Sequence, residues 1–170
     1  FGRLDILLNS AGIGVGGDFE ETSLADFRRV MAINSTGTFL GCKYAIPLMA
    51  KSGGGSIINM SSVVGVKGNA GQSNYAASKA GLVSFSISLA REVAREGINV
   101  NAIAPGYMAT ENTAPIRADA QRSESILARI PAERWGTPND LAGAIVFLAS
   151  RASDYVHGHT LAVDGGWLAR

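Results

Sequence analysis

Four short apolar runs punctuate the chain: residues 5–9 (DILLN), 56–60 (SIINM), 99–104 (NVNAIA) and 160–163 (TLAV). Short continuous apolar runs are those of strands buried on both faces, and strands that alternate with helices pair in parallel through crossovers. The gaps read as helix. Residues 24–51 are periodic up to the stop Gly53-Gly54-Gly55, and residues 74–96 are periodic up to Gly97. Thr137-Pro138-Asn139-Asp140 opens a third helix to about residue 149, with a cap, a proline at the first position and an acid at the third. Residues 107–130 form a polar, proline-interrupted stretch too long for a simple connection, and such insertions after a strand carry function. The expected fold is α/β, a doubly wound parallel sheet.

Directly after the first run, Gly12, Gly14 and Gly17 spell G-x-G-x-x-G. A dinucleotide fingerprint needs a helix opening within its glycines and an acid about 20 residues on. Here polar residues 18–23 delay the helix to Leu24, and the acid is missing. The match is not the phosphate loop.

With 170 residues, 46% of them hydrophobic, the chain can bury one sizeable core, so residues 1–170 are read as a single domain. The 15 basic and 14 acidic residues leave a net charge of +1. No single-sign field attracts nucleic acid or an anionic membrane, so the expected partner is a small-molecule substrate. No apolar run approaches membrane-spanning length, and a cytoplasmic protein is expected. The single cysteine, Cys42, reads as a small buried apolar residue.

Chemistry concentrates in SSVVGVKGNAGQSNYAASKAG. Tyr75 and Lys79 are four residues apart, so both side chains lie on one helix face. A nearby ammonium stabilises tyrosinate, lowers the phenol's pKa and lets it take or give a proton. Ser62 closes a strand at the carboxyl end, where open parallel sheets place ligands, and its hydroxyl can hold an oxygen that Tyr75 protonates. Singly, each residue has a plainer reading: solvated helix neighbours for the pair, a strand-end cap for Ser62, a hydrogen-bonded helix break for Asn34. Their joint arrangement decides.

That arrangement resembles the short-chain dehydrogenase/reductase family along nearly the whole chain. Asn9-Ser10-Ala11-Gly12 matches the family's Asn-Asn-Ala-Gly after its fourth strand, with Ser10 a departure. Asn34 matches the asparagine that holds a water in the proton relay. Ser62, thirteen residues before Tyr75, matches the family serine, Tyr75 the acid/base and Lys79 its lysine. Pro105-Gly106 matches the turn beside the nicotinamide, Met108 follows it, and Thr110 matches the threonine that contacts the cofactor. The resemblance implies a Rossmann-like fold of which this chain is the C-terminal half, strands four to seven, with the first βαβαβ part missing before Phe1. It implies NAD, or alternatively NADP, bound by Asn9, Ala11, Gly12, Tyr75, Lys79, Pro105, Gly106, Met108 and Thr110. Hydride would pass between nicotinamide and a carbonyl or secondary alcohol in a homotetramer built partly on the Tyr75 helix and the segment around Trp167.

The last third resembles the sugar-acid dehydrogenases of that family, and residues 107–130 are read as a substrate-loop insertion. Arg117, Arg122 and Arg129 fall within it, and a guanidinium fork suits a carboxylate. Arg122, among small polar neighbours, is the first choice, with Ser62 and Tyr75 as the other substrate contacts. The alternative is a 3-oxoacyl-carrier-protein reductase or another ketone reductase. An alternative of another class is a non-catalytic fragment or nucleotide-binding scaffold. His157 and His159 match no family position and read as loop residues, and no metal is expected.

Overall fold

The apolar runs become four strands that pair in chain order. In the computed structural model, which describes residues 2–170, β1 (Ile6–Asn9), β2 (Gly55–Met60), β3 (Ile98–Pro105) and β4 (Thr160–Val163) form one parallel sheet in the order β1-β2-β3-β4. The register sets Asn9 beside Asn59, Met60 beside Ile103 and Pro105 beside Val163. Loops leaving the carboxyl ends of all four strands therefore share one edge.

Helices cover both faces. On one, α2 (Gly37–Lys51) and α4 (Ser73–Val93) bring Cys42, Ala45, Met49, Ala90 and Val93 onto Ile57, Ile98 and Val100. On the other, Leu148 of α7 (Ala142–Leu148) joins Ile58, Met60 and Ile103. This alternation follows from the two-residue period of a strand. The expectation that all four strands are buried on both faces holds only for β2 and β3. Ile6 and Leu8 of β1 are 47% and 39% exposed, and β4 is only half-buried. The core on the α7 side draws on β2, β3 and β4 only.

The long helix from Leu24 is not uniform. α1 (Leu24–Met31), capped by Ser23 accepting from Asp26 N, runs into a π-helical segment, Ala32–Thr36, and then into α2. Two further departures concern short elements. Ser62 caps a one-turn helix, α3 (Val63–Lys67), and residues 107–130 hold α5 (Ala114–Ala118) and α6 (Ala120–Leu127) rather than a loop. Five residues are too few to show helical period in sequence, while Pro115 sits harmlessly in the first turn of α5. The cap at Thr137 forms as expected, but it opens a tighter turn, Pro138–Leu141, before α7 begins. No helix opens among Gly12, Gly14 and Gly17, in keeping with their rejection as a phosphate loop.

Candidate active site

Ser62 reaches the edge of the sheet because β2 ends two residues earlier. Its Oγ accepts from Val64 N at 3.2 Å and so starts α3. α3 lies directly on α4: a Cβ on Gly65 would sit 2.6 Å from the Lys79 carbonyl carbon, a separation only glycine permits. Ser61 Oγ donates to Lys79 O at 2.8 Å and closes the same contact. Strand end and helix face are thereby fixed to one another.

On α4, Tyr75 and Lys79 stand one turn apart as expected. The Ser62 hydroxyl is near enough to the Tyr75 phenol to lower its pKa, and Lys79 Nζ lies 5.6 Å from the centre of the tyrosine ring. The expected lowering of the phenol's pKa does not occur in this structure. Burial raises Tyr75 above the ordinary tyrosine value, and the hydrogen bond with Ser62 is the one influence pulling it back. The reason lies in the ammonium, which donates to Met60 O at 2.7 Å and is itself lowered by burial from 10.5 to about 8. Spacing along a helix fixes where a side chain starts, not where its charge ends up.

Asn34 occupies the π-helical segment and is fully buried. Its Oδ1 accepts from Ile13 N at 2.8 Å, and its Nδ2 donates to Ile13 O and to Ser78 Oγ, both at 2.9 Å. Ser78 Oγ in turn donates to Tyr75 O at 2.8 Å. The turn after β1 is thus tied to the helix that carries Tyr75. In that turn a Cβ on Gly12 would meet Lys79 Nζ at 3.2 Å and Asn34 Oδ1 at 3.4 Å, and one on Gly14 would meet the Tyr75 ring at 3.5 Å. Ala11 beside them is exposed. Asn9 points beneath the turn, where its Nδ2 donates to Asn59 Oδ1 at 2.9 Å. Asn74, just before Tyr75, accepts from Tyr75 N at 2.6 Å, while its buried Nδ2 has no partner among the described residues.

Across the edge, Pro105 ends β3 and Gly106 N donates to Val163 O at 3.0 Å. Met108 bridges to Gly136, and Thr110 caps the turn Glu111–Thr113. Between them Tyr107, which sequence reasoning did not single out, packs with Tyr75 onto one apolar cluster that includes Val63 and Val64, the two residues after Ser62. Its ring meets Trp135 edge-on at 5.6 Å and Trp167 at 4.7 Å. No spacing rule links positions 107, 135 and 167. Burial raises the Tyr107 phenol, and the charges of Arg129 and Arg122 pull it back. Arg122 lies exposed in the first turn of α6, and Arg117 donates to Thr110 O at 3.1 Å. His157 and His159 lie in the turn before β4. Among the described residues no group of three or more His, Cys, Asp or Glu side chains is placed to hold a metal ion, and no helix is long and apolar enough to cross a membrane.

Comparison with known proteins bears on the whole edge. The family model described as Enoyl-(Acyl carrier protein) reductase matches residues 1–168. The 2-dehydro-3-deoxy-D-gluconate 5-dehydrogenase of Escherichia coli (strain K12) is 52% identical over 171 aligned residues, which cover 100% of this chain and 68% of that relative. An NADP-bound crystal structure from Agrobacterium tumefaciens, described as a 2-deoxy-D-gluconate 3-dehydrogenase, superposes with a TM-score of 0.94 at 47% identity, covering 98% of this chain and 68% of that one. An NADP-bound protein from Beutenbergia cavernae, described as an NAD(P)-dependent gluconate 5-dehydrogenase, gives 0.97 at 46% identity, covering 99% and 68%. The likeness seen in the last third of the sequence therefore extends over the full chain. With serine, tyrosine and lysine gathered at the carboxyl edge of a Rossmann-like sheet and relatives this close along its length, the chain belongs to the short-chain dehydrogenase/reductase family, the nicotinamide-dependent oxidoreductases.

Proposed function

We propose that the protein interconverts a secondary alcohol and a carbonyl on a sugar acid, such as 2-deoxy-D-gluconate or 2-dehydro-3-deoxy-D-gluconate, using NAD or NADP. The observation that carries this reading is the grouping of Ser62, Tyr75 and Lys79 at one end of the sheet in a chain 52% identical to a dehydrogenase of that substrate class. In the family's order the four strands correspond to strands four to seven, and residues 107–130 form the substrate segment of the one domain.

The carboxyl edge suits a dinucleotide. The absence of a Cβ at Gly12 and Gly14 leaves room against Lys79, Asn34 and Tyr75. Ala11 and Gly12 would hold the cofactor from this side, with Asn9 fixing the turn from below. Pro105, Gly106, Met108 and Thr110 would hold it from the other, and Tyr75 and Lys79 would reach its ribose. When bound, the nicotinamide supplies or accepts the hydride. Both solved relatives hold NADP, which sets NADP beside the NAD expected from sequence.

Tyr75 moves the proton at its phenolic oxygen. Raised by burial, the phenol is protonated at neutral pH and poised to act as the acid in carbonyl reduction. The Ser62 hydroxyl, already against that phenol, holds the substrate oxygen in line with it. Lys79 steadies the tyrosinate once the proton has left. Asn34 has its side chain committed to Ile13 and Ser78 and its main-chain carbonyl accepts from Thr38 Oγ1 at 2.9 Å, so a relay water would take that carbonyl's second lone pair. Arg122 is one of the groups that hold the substrate carboxylate. Assembly into a homotetramer would cover apolar residues on the outer faces of α2 and α4, such as Tyr44, Leu48 and Ile87, which are exposed in the single chain. The Trp167 side chain is spent inside the chain itself, at 6% exposure.

Steady-state assays with NAD and NADP test the reading. A kcat/KM on 2-dehydro-3-deoxy-D-gluconate or 2-deoxy-D-gluconate at least about tenfold above that on an acetoacetyl thioester is expected. The reverse order hands the function to a 3-oxoacyl-carrier-protein reductase.

A further inference from the structure

Tyr107 packs against two tryptophan rings, and the charges of two arginines are felt at its phenol. Trp135 and Trp167 fix its ring from two sides, at 5.6 and 4.7 Å between centres. The Arg129 guanidinium lies 4.1 Å over the Trp167 ring, so this long side chain is held by stacking rather than left to wander. Arg122, exposed in the first turn of α6, adds a weaker positive charge felt at the same phenol.

The neighbouring arginines are already occupied. Arg134 grips Asp140 through two hydrogen bonds of 2.9 and 2.7 Å, and Arg117 is engaged at Thr110 O. Arg122 and Arg129, by contrast, have no carboxylate within 4.0 Å among the described residues. Both guanidinium groups are exposed and without a protein counter-ion among the described residues, and Arg129 shares the Trp167 ring with Tyr107. The side of the cleft is also set, because Tyr107 and Tyr75 rest on the same cluster as Val63 and Val64.

We infer that Arg129, braced on Trp167, and the Tyr107 hydroxyl form the subsite that binds the substrate's carboxylate, with Arg122 as the outer wall. A carboxylate offers about four acceptor positions; a guanidinium fork fills two and a phenol a third. Burial keeps the Tyr107 phenol protonated and able to donate. This subsite rests on the sugar-acid reading above and makes it specific: the charged end of the substrate lies toward α6 and the reacting carbon toward Tyr75.

The test measures binding to the NADP-loaded protein by quenching of tryptophan fluorescence, titrating D-gluconate against D-glucitol, which lacks the carboxylate. The wild type is expected to prefer gluconate by about tenfold or more. Arg129→Gln and Tyr107→Phe should each remove most of that preference, and Arg129→Lys, which keeps the charge but not the fork, should restore only part of it. An Arg129→Gln variant that keeps the wild-type preference, or a wild type without any preference, overturns the inference. Turnover separates it from the broader reading. Normal sugar-acid turnover with no effect of Arg129→Gln sinks the subsite alone, whereas a preference for gluconate lost in Arg129→Gln without sugar-acid turnover upholds the subsite and sinks the reaction.

Discussion

The shelf that carries Ser62, Tyr75 and Lys79 and the segment that carries Arg122 face each other across Tyr107, and they are held by different means. On the shelf several ties cross between elements: Lys79 to Met60, Ser61 to Lys79 O, Asn34 to both Ile13 and Ser78. In residues 107–130 the side-chain bonds are mostly local, Thr113 to Thr110, Asp119 to Arg122, Arg117 to Thr110. Of its side chains only Ile126 and Ile130 are fully buried. Long-range ties are few, chiefly Trp135 Nε1 to Ser123 Oγ at 3.2 Å and Arg170 to Ala128 O at 2.5 Å. In the proposed function, proton transfer needs fixed distances and sits on cross-braced elements, while substrate choice sits on a segment whose exposed residues can change without disturbing the core.

The largest effect expected from this division is at Tyr75. Tyr75→Phe removes a proton donor while leaving the packing on Val63 and Val64, so kcat should fall by about a thousandfold, within the range of general acid catalysis, with cofactor affinity and melting temperature nearly unchanged. A variant that kept a tenth or more of the activity would remove Tyr75 from the role.

Lys79→Met should act on both chemistry and stability. The unfolded chain holds the lysine proton up to 10.5, whereas the folded protein releases it near about 8. Between those values the unfolded state binds more protons, so the cofactor-free protein gains stability as pH rises from 8 toward 10.5 and carries the full cost of the buried ammonium below 8. Melting temperature recorded from pH 7 to pH 10 should lose this upward component in the Met variant, which should also bind cofactor less well. An identical pH slope in both proteins would show that the ammonium is not confined as its bond to Met60 indicates.

The smallest effect belongs to the outer segment. Arg122→Ala should raise KM for a sugar acid by about tenfold, the loss of roughly 1.5 kcal/mol of charge-assisted hydrogen bonding, and leave the thermal midpoint where it was. Equal losses on charged and neutral substrates would mean that the segment is braced as firmly as the shelf, and the contrast would fail.

Legibility in sequence follows the same line. The strands are visible because residues such as Ile57, Ile58, Val100 and Ile103 must be apolar wherever helices cover both faces. The proposed catalytic pair Tyr75 and Lys79 is visible because a helix converts a four-residue spacing into one face. The exposure of Ile6 and Leu8 is not, since an apolar run does not announce which face lacks a helix. The direction of the Tyr75 shift depends on where Lys79 Nζ is tethered, a three-dimensional fact. Tyr107, Trp135 and Trp167 meet only through the fold, so their grouping leaves no mark on the one-dimensional pattern.

The π-helical segment Ala32–Thr36 makes residue count itself a constraint. A wide turn works as a phase shifter: it lets Asn34 face the turn after β1 while Cys42, Ala45 and Met49, further along, face the sheet. Winding the same residues evenly as α-helix would rotate everything beyond them by about 100°, one residue's worth, with a shift of about 1.5 Å. Either Asn34 or the Met49 row would then turn to solvent. Substitutions at exposed positions of this helix are cheap, and the wide turn is where the chain absorbs one extra residue, so the constraint on this stretch is arithmetic before it is chemical.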